Sequence, residues 1–216
     1  MYKVRLAKNK SEVLQSMYLV KKYFLQYYRT YPIELPDLFV IVEDMQENKI
    51  ISAMGFEYKL NKKDKLLEAE KYFEFSFDMV FPDAYEKGVS ELGRWVSTNN
   101  YVTIYLILAA FKLAYNLDIE YTSSFQKEQI ANWVITKYKL PVKWIKVNVK
   151  EDVRKGKYKE YFGANDLVIF VQKVKPLIDW IESYFGYRND IEIDIPQEKS
   201  TILTYKIANY GITEFS

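Results

Sequence analysis

The chain has 216 residues, 49% hydrophobic and 17% aromatic, enough for one domain with a substantial core. It contains no His and no Cys, which excludes His-based triads, thiol nucleophiles, Cys/His zinc sites and disulfide frameworks; acid–base work falls to Asp, Glu, Tyr, Lys, a terminus or water. Thirty-one Lys and Arg against 29 Asp and Glu leave a net charge of +2, so the chain as a whole is no polyelectrolyte binder.

Alternating Tyr2, Val4 and Leu6 predict a short opening strand. No apolar run follows the charged start, so no signal peptide is expected. From Ser11 and Glu12 a helical spacing of Val13, Leu14, Met17, Tyr18, Val20, Phe24 and Leu25 runs to a loop marked by Pro32 and Pro36. Residues 38–42 and 50–58 form a predicted hairpin across the turn at 47–49. Residues 72–81 alternate aromatics (Phe73, Phe75, Phe77) and are expected as a strand, with a helix entering from Leu66 as the alternative. A strand at 91–97, a polar turn at Asn99 and Asn100, an apolar helix at 101–116 and a strand at 119–123 follow. The apolar run 101–111 stops at Lys112, short of the ~20 residues that span a bilayer, so a soluble cytoplasmic protein is expected. An amphipathic helix at 128–139 closed by Pro141, strands at 142–149 and 167–174, a helix to Phe185 and strands at 191–195 and 201–208 complete the chain. The alternation of strands and helices gives an α/β (α+β) class with a mixed sheet.

Three features could carry chemistry. In Ser90-Glu91-Leu92-Gly93-Arg94-Trp95-Val96-Ser97 a strand holds a carboxylate and a guanidinium. Period-2 geometry sends positions 91 and 94 to opposite faces, unless Gly93 marks a bulge. The pair is then either an exposed strand-end ion pair or two groups lining one cleft. The turn Ser97-Thr98-Asn99-Asn100 feeds a helix N-terminus, a place for an anion or simply a helix cap. No glycine-rich phosphate loop exists among the 7 Gly. Residues 139–159 carry eight Lys or Arg against Glu151 and Asp152, and Lys146, Asn148 and Lys150 are read as sharing a strand face. That stretch is a docking patch for an acidic partner or a solvated edge. Nucleic acid is disfavoured, because the aromatics of 72–81 interleave with Glu74 and Asp78.

The order of elements resembles the GNAT-type acyltransferase fold. The Glu91-x-x-Arg94-Trp95-Val96 strand resembles that of acyl-homoserine lactone (autoinducer) synthases and N-acyl amino acid synthases, and residues 89–162, ending Tyr161-Phe162-Gly163, are similar in layout to the thermostable hemolysin family. The resemblance implies a splayed mixed sheet flanked by helices on both faces, spanning 1–175, with 176–216 as an extension packed on the same domain. It implies N-acyl transfer from an acyl-CoA or acyl carrier protein thioester to a small-molecule amine such as an amino acid, with no metal. Glu91 would help deprotonate the amine and Arg94 would orient Glu91 or substrate. Trp95, Val96, Ser97, Thr98, Asn99, Asn100, Tyr121 and Ser123 would hold the pantetheine thioester, and Phe24, Tyr28, Glu34 and Asp37 the acceptor side. The basic 139–159 stretch would dock an acidic carrier protein. The alternatives are an acetyl-CoA-dependent acetyltransferase and a catalytically inactive binding protein of the same fold. Four features depart from these families, one being Ala53-Met54-Gly55-Phe56-Glu57-Tyr58, which lacks the Arg expected near that strand's end. The coenzyme A loop reads Ser-Thr-Asn-Asn-Tyr-Val at 97–102, Ile135 stands where the acetyltransferases carry Tyr after Ala131, and Lys21, Lys22 and Phe24 replace an Arg–aromatic motif.

Overall fold

Asn9 begins the first helix: its side-chain oxygen accepts from the Glu12 N–H at 3.0 Å, satisfying one of the unpaired donors of the first turn. The computed structural model describes residues 1–30, 34–140, 142, 144–156, 159–162 and 166–214, with side chains except at 130, 133, 134 and 138. Pro32, Pro141 and Gly163, read above as markers, lie outside the described residues. In chain order the elements are β1 (Tyr2–Leu6), α1 (Lys10–Tyr28), β2 (Leu38–Asp44), β3 (Lys49–Lys59), α2 (Glu68–Tyr72), α3 (Ala84–Lys87), β4 (Val89–Ser97), α4 (Asn100–Asn116) and β5 (Tyr121–Lys127). There follow α5 (Glu128–Tyr138), β6 (Trp144–Lys146), α6 (Glu151–Lys155), α7 (Lys159–Phe162), β7 (Leu167–Lys173), α8 (Val174–Phe185), β8 (Ile191–Asp194) and α9 (Lys199–Thr204).

The strands make one mixed sheet in the order β6-β7-β5-β4-β3-β2-β1-β8, antiparallel except at β4–β5 and β1–β8. Alternate residues of β1–β3 point to opposite faces. Leu6, Val40, Met54 and Phe56 face α4 and α8, where Leu106, Ala110, Leu113 and Ile181 complete a core. Phe39, Ile41, Ala53 and Val96 face α1 and its Val13, Met17 and Val20. A third cluster, joining Phe73, Phe77, Val89, Tyr121, Phe162 and Ile169, fills the space beside β5 and β7. Burying each large side chain contributes on the order of 1.5–3 kcal/mol. Residues 174–185 pack on α4, and Ile191–Asp194 extends the same sheet beside β1.

Two expected strands are not formed. Residues 72–81 make the end of α2, one antiparallel bridge (Phe73 to Val149) and a 3-10 turn at Phe77–Met79. The alternating aromatics are buried separately in the third cluster, and the Phe77 N–H donates to the Tyr85 hydroxyl at 3.3 Å instead of to a strand. Residues 201–208 form α9 and a 3-10 turn, Ile207–Tyr210. Ile202 lies in the α4-side core and Ile207 in the α1-side core, so this segment passes from one face of the sheet to the other, which overrides the β-propensity of its Thr and Ile residues. The strand expected over 142–149 is paired over Trp144–Lys146 alone. Asn148 beyond it donates to Glu74 and Lys150 to the Glu70 carbonyl, so these residues share no strand face with Lys146.

Beneath α2 the Lys59 ammonium is buried, 3.1 Å from both carboxylate oxygens of Glu70 and 4.7 Å above the Tyr85 ring. Glu70 also accepts from the Tyr85 hydroxyl (2.6 Å) and the Leu67 N–H (3.0 Å), and burial with this anionic neighbour pushes Tyr85 up to about 12. Lys59→Ala strands a buried carboxylate and should lower the unfolding free energy by about 3–5 kcal/mol. Urea unfolding measures it, and a loss below about 1 kcal/mol would mean that water reaches Glu70.

Candidate active site

The Glu91–Arg94 strand contains a bulge, the alternative under which both groups share a face. Ala53 pairs with Val96 and Gly55 with Gly93, so one β3 residue faces two of β4, and Arg94 takes φ 48°. That left-handed conformation is costly for a non-glycine residue and is held by the surrounding packing. Its effect is to turn Arg94 to the face that carries Glu57 and Glu91.

There the Arg94 guanidinium donates to Glu68 Oε1 at 2.7 Å and lies 3.4 Å from Glu57 Oε2. Lys65 bridges Glu57 Oε1 and Asp37 Oδ1, each at 3.1 Å. Glu91 Oε2 accepts the Ala69 N–H at 2.9 Å, while its Oε1 is sealed off without a partner among the described residues. Oxygens of Glu57, Glu68 and Glu91 lie within 4.8 Å of one another, and the positive charge such a cluster calls for comes from Arg94, with Lys65 at its edge. The three carboxyls separate electrostatically. Burial would raise Glu57, but Arg94 and Lys65 outweigh it and hold it below the usual carboxylate range. Burial raises Glu68 to about 7, with Glu57 adding to the effect and Arg94 opposing it. Burial, then Glu68 and Glu57, push Glu91 well above the usual range.

β4 and β5 pair in parallel at Val89–Tyr121, Ser90–Thr122 and Glu91–Ser123, and then separate. Beyond that point β4 stays on β3 as far as Ser97, and β5 stays on β7 as far as Lys127. The wedge opens a cavity of about 410 Å³. On the α1 side it is lined by Phe24, Tyr28, Glu68, Arg94 and Tyr161; on the α4 side by Ile104, Ile107, Phe111 and Leu177. Two buried polar groups on its walls, Trp95 Nε1–H and Thr122 Oγ1, have no partner among the described residues.

Of the residues singled out in the sequence, Arg94, Trp95, Ser97, Asn100, Ser123, Phe24 and Tyr28 line this cavity. The others do not. Glu91 lies beneath Ala69, behind Glu68. Val96 is on the α1-side core, because the bulge places it there. Thr98 is tied to the Ile51 carbonyl at 2.8 Å, and the Asn99 side chain accepts from the Tyr101 N–H at 2.9 Å as the cap of α4. Tyr121 points into the third cluster, its hydroxyl donating to Asp83 at 2.7 Å and its ring stacked on Phe81. Glu34 pairs with Lys71, and Asp37 with Lys65 and the Tyr58 N–H. Glu68 was not singled out. Its sequence signal is faint: two charges, Glu68 and Glu70, interleaved with Leu67 and Ala69.

The polar turn is internally bonded. Ser97 Oγ donates to the Asn99 carbonyl at 2.9 Å and lies 2.9 Å from Ser52 Oγ, while Thr103 also reaches the Asn99 carbonyl. The basic stretch is partly neutralised: Lys146 sits 3.1 Å from Glu128 and 3.5 Å from Asp166, and Lys155 pairs with Glu151. Lys143 and Lys157 lie outside the described residues. No described helix is long and apolar enough to cross a membrane.

No family model and no curated protein matches the sequence. Solved structures do match the fold. BjaI, a CoA-dependent acyl-homoserine lactone synthase solved with SAM and isopentyl-CoA, superposes with TM-score 0.55 at 10% identity, covering 94% of this chain and 98% of that one. FeeM, an N-acyl amino acid synthase from uncultured soil microbes, gives 0.56 at 9% identity over 85% and 94% of the two chains. The acyl-homoserine lactone synthase LasI gives 0.53 at 8% identity over 86% and 94%. The chain has the GNAT-type acyltransferase fold: a mixed sheet, splayed at its centre, with helices on both faces.

Proposed function

We propose that this chain is an N-acyltransferase that moves an acyl group from a coenzyme A or acyl carrier protein thioester to the amine of a small molecule. The observation that carries the reading is the wedge between β4 and β5, which opens onto apolar residues on one side and a buried carboxylate–guanidinium group on the other. A thioester needs little activation, since a thiolate is a good leaving group; what it needs is an amine stripped of its proton and an oxyanion held by donors. Backbone N–H groups near Val96 would serve the oxyanion, and the pantetheine arm would lie in the wedge with its phosphates towards Asn100 at the start of α4. Ile104, Ile107, Phe111 and Leu177 provide an apolar place for an acyl chain longer than acetyl. Phe24 and Tyr28, on the opposite side, would contact the acceptor.

An acetyl-CoA enzyme is disfavoured by the apolar lining of Ile104, Ile107, Phe111 and Leu177, which exceeds what an acetyl group needs. A binding protein without catalysis is disfavoured because Trp95 and Phe125 line an open cavity instead of filling it. The test is release of free thiol from thioesters of graded chain length offered with amines, amino acids among them. Silence across all lengths and amines overturns the proposal. With the acyl-transfer reaction in hand, Arg154→Glu with Lys155→Glu in the basic stretch should raise KM for carrier-protein donors several-fold and leave coenzyme A donors unchanged, because docking of an acidic partner is long-range and screened by salt. Equal effects on both donors would remove the carrier protein from the proposal.

A further inference from the structure

We propose that Glu68, and not Glu91, accepts the proton of the attacking amine, and that Glu91 is a positioning residue beneath it; the inference rests on the acyl-transfer reading above. The geometry separates the two carboxyls. Glu68 lines the cavity, and Arg94 takes its Oε1. Its Oε2 lies over Gly93 at the bulge, about where a side chain there would touch it (3.5 Å from an added Cβ), and carries no hydrogen bond from any described residue. A lone pair is thus free on the wall of the wedge. Glu91 offers none: it does not line the cavity, one oxygen is bound by the Ala69 N–H and the other is sealed in protein. Through that Ala69 bond Glu91 fixes the first turn of α2, the turn that carries Glu68.

Electrostatics support the same division. Glu68 is faced by Arg94 and Glu91 from β4, Glu57 from β3, Glu34 from the segment before β2, Lys71 on α2 and Tyr161 on α7. Burial, opposed by Arg94, holds it at about 7, where a base is both deprotonated in useful amount and basic enough to act. Glu91, fully buried beside Glu68 and Glu57, is likewise held well above the usual carboxylate range, and it has no face on the cavity. The step balances as follows. The substrate ammonium gives one proton to Glu68. Its nitrogen lone pair then adds to the thioester carbonyl carbon, and collapse of the adduct breaks the C–S bond. The departing thiolate takes the second nitrogen proton, giving amide and thiol, and Glu68 returns its proton to water.

Gln keeps the size of either residue and its capacity to accept a hydrogen bond, so both variants should fold; thermal melts check this. In wild type kcat/KM should rise with pH through about 7. Glu68→Gln should lower kcat by roughly 100-fold or more and abolish that limb, whereas Glu91→Gln should lose no more than about tenfold and retain it. Independently of turnover, carboxyl NMR titration of protein labelled at Glu should show a group titrating near 7 that Glu68→Gln removes. It should also show a group protonated to higher pH that Glu91→Gln removes. Interchanged titrations, or an equal loss of rate and of the pH limb in Glu91→Gln, overturn the assignment while leaving acyl transfer standing. Titrations as expected, with no thioester turned over by wild type, overturn the acyl-transfer reading and the catalytic role of Glu68 with it.

Discussion

Arg94→Ala should lower stability by about 3–5 kcal/mol at neutral pH. The guanidinium is the cation shared by Glu57 and Glu68, both buried, and no other described cation contacts Glu68. Without it both carboxyls move up in the folded protein and Glu68 is lost as an ionised group. The pH dependence has a definite sign. A carboxyl whose folded value is raised contributes stability fully present below its unfolded value of about 4.3, and that stability is lost as pH rises through the folded value. The deficit of the variant against wild type should therefore be largest near pH 8 and shrink towards pH 4. Urea unfolding at the two pH values measures it, and an equal deficit at both would show that Arg94 acts through packing alone. Arg94→Lys should fall between, because a point charge cannot span Glu57 and Glu68 as the planar guanidinium does.

The second large effect concerns the apolar end of the wedge. Ile107 projects from α4 into the cavity, and Ser124 faces it from β5. Ile107→Trp, or Ser124→Trp, should fill space that the native chain leaves open, so the fold survives while acyl length is cut back. Discrimination per excluded methylene is on the order of 10- to 200-fold in kcat/KM. The preferred donor should shift to shorter chains, with kcat on the shortest substrates retained. Uniform loss at every length would mean that the acyl chain runs elsewhere and that these residues only support α4 and β5.

The two experiments probe groups that were unequally visible beforehand. Arg94 was legible: a Glu and an Arg three apart in an apolar strand with Gly between them pose a question of faces, and a bulge is the physical answer. The wedge was legible in outline, because a strand, a polar turn and an apolar helix place a helix N-terminus at a strand end. Glu68 was not, since it lies ahead of the aromatic run 72–81, on a helix the sequence offered as an alternative, and its role arises from contact with a residue 26 positions later. Tyr121 failed for the opposite reason. It lies on the right strand, but period-2 geometry turns it to the third cluster while Thr122 next to it lines the cavity.

The sequence by itself determined the chemistry open to this protein. With no His and no Cys, proton transfer falls to Asp, Glu, Tyr, Lys, a terminus or water, and that is a property of composition that no fold can alter. It also determined the main strands and helices, because hydrophobic period is a relation between near neighbours. The tertiary structure decided which carboxylate is charged. Glu57, Glu68 and Glu91 are the same side chain, and they differ in how deeply each is buried and how near it lies to Arg94. Desolvation and Coulomb energy are sums over groups brought together from β3, α2 and β4, and those sums exist once the chain has folded.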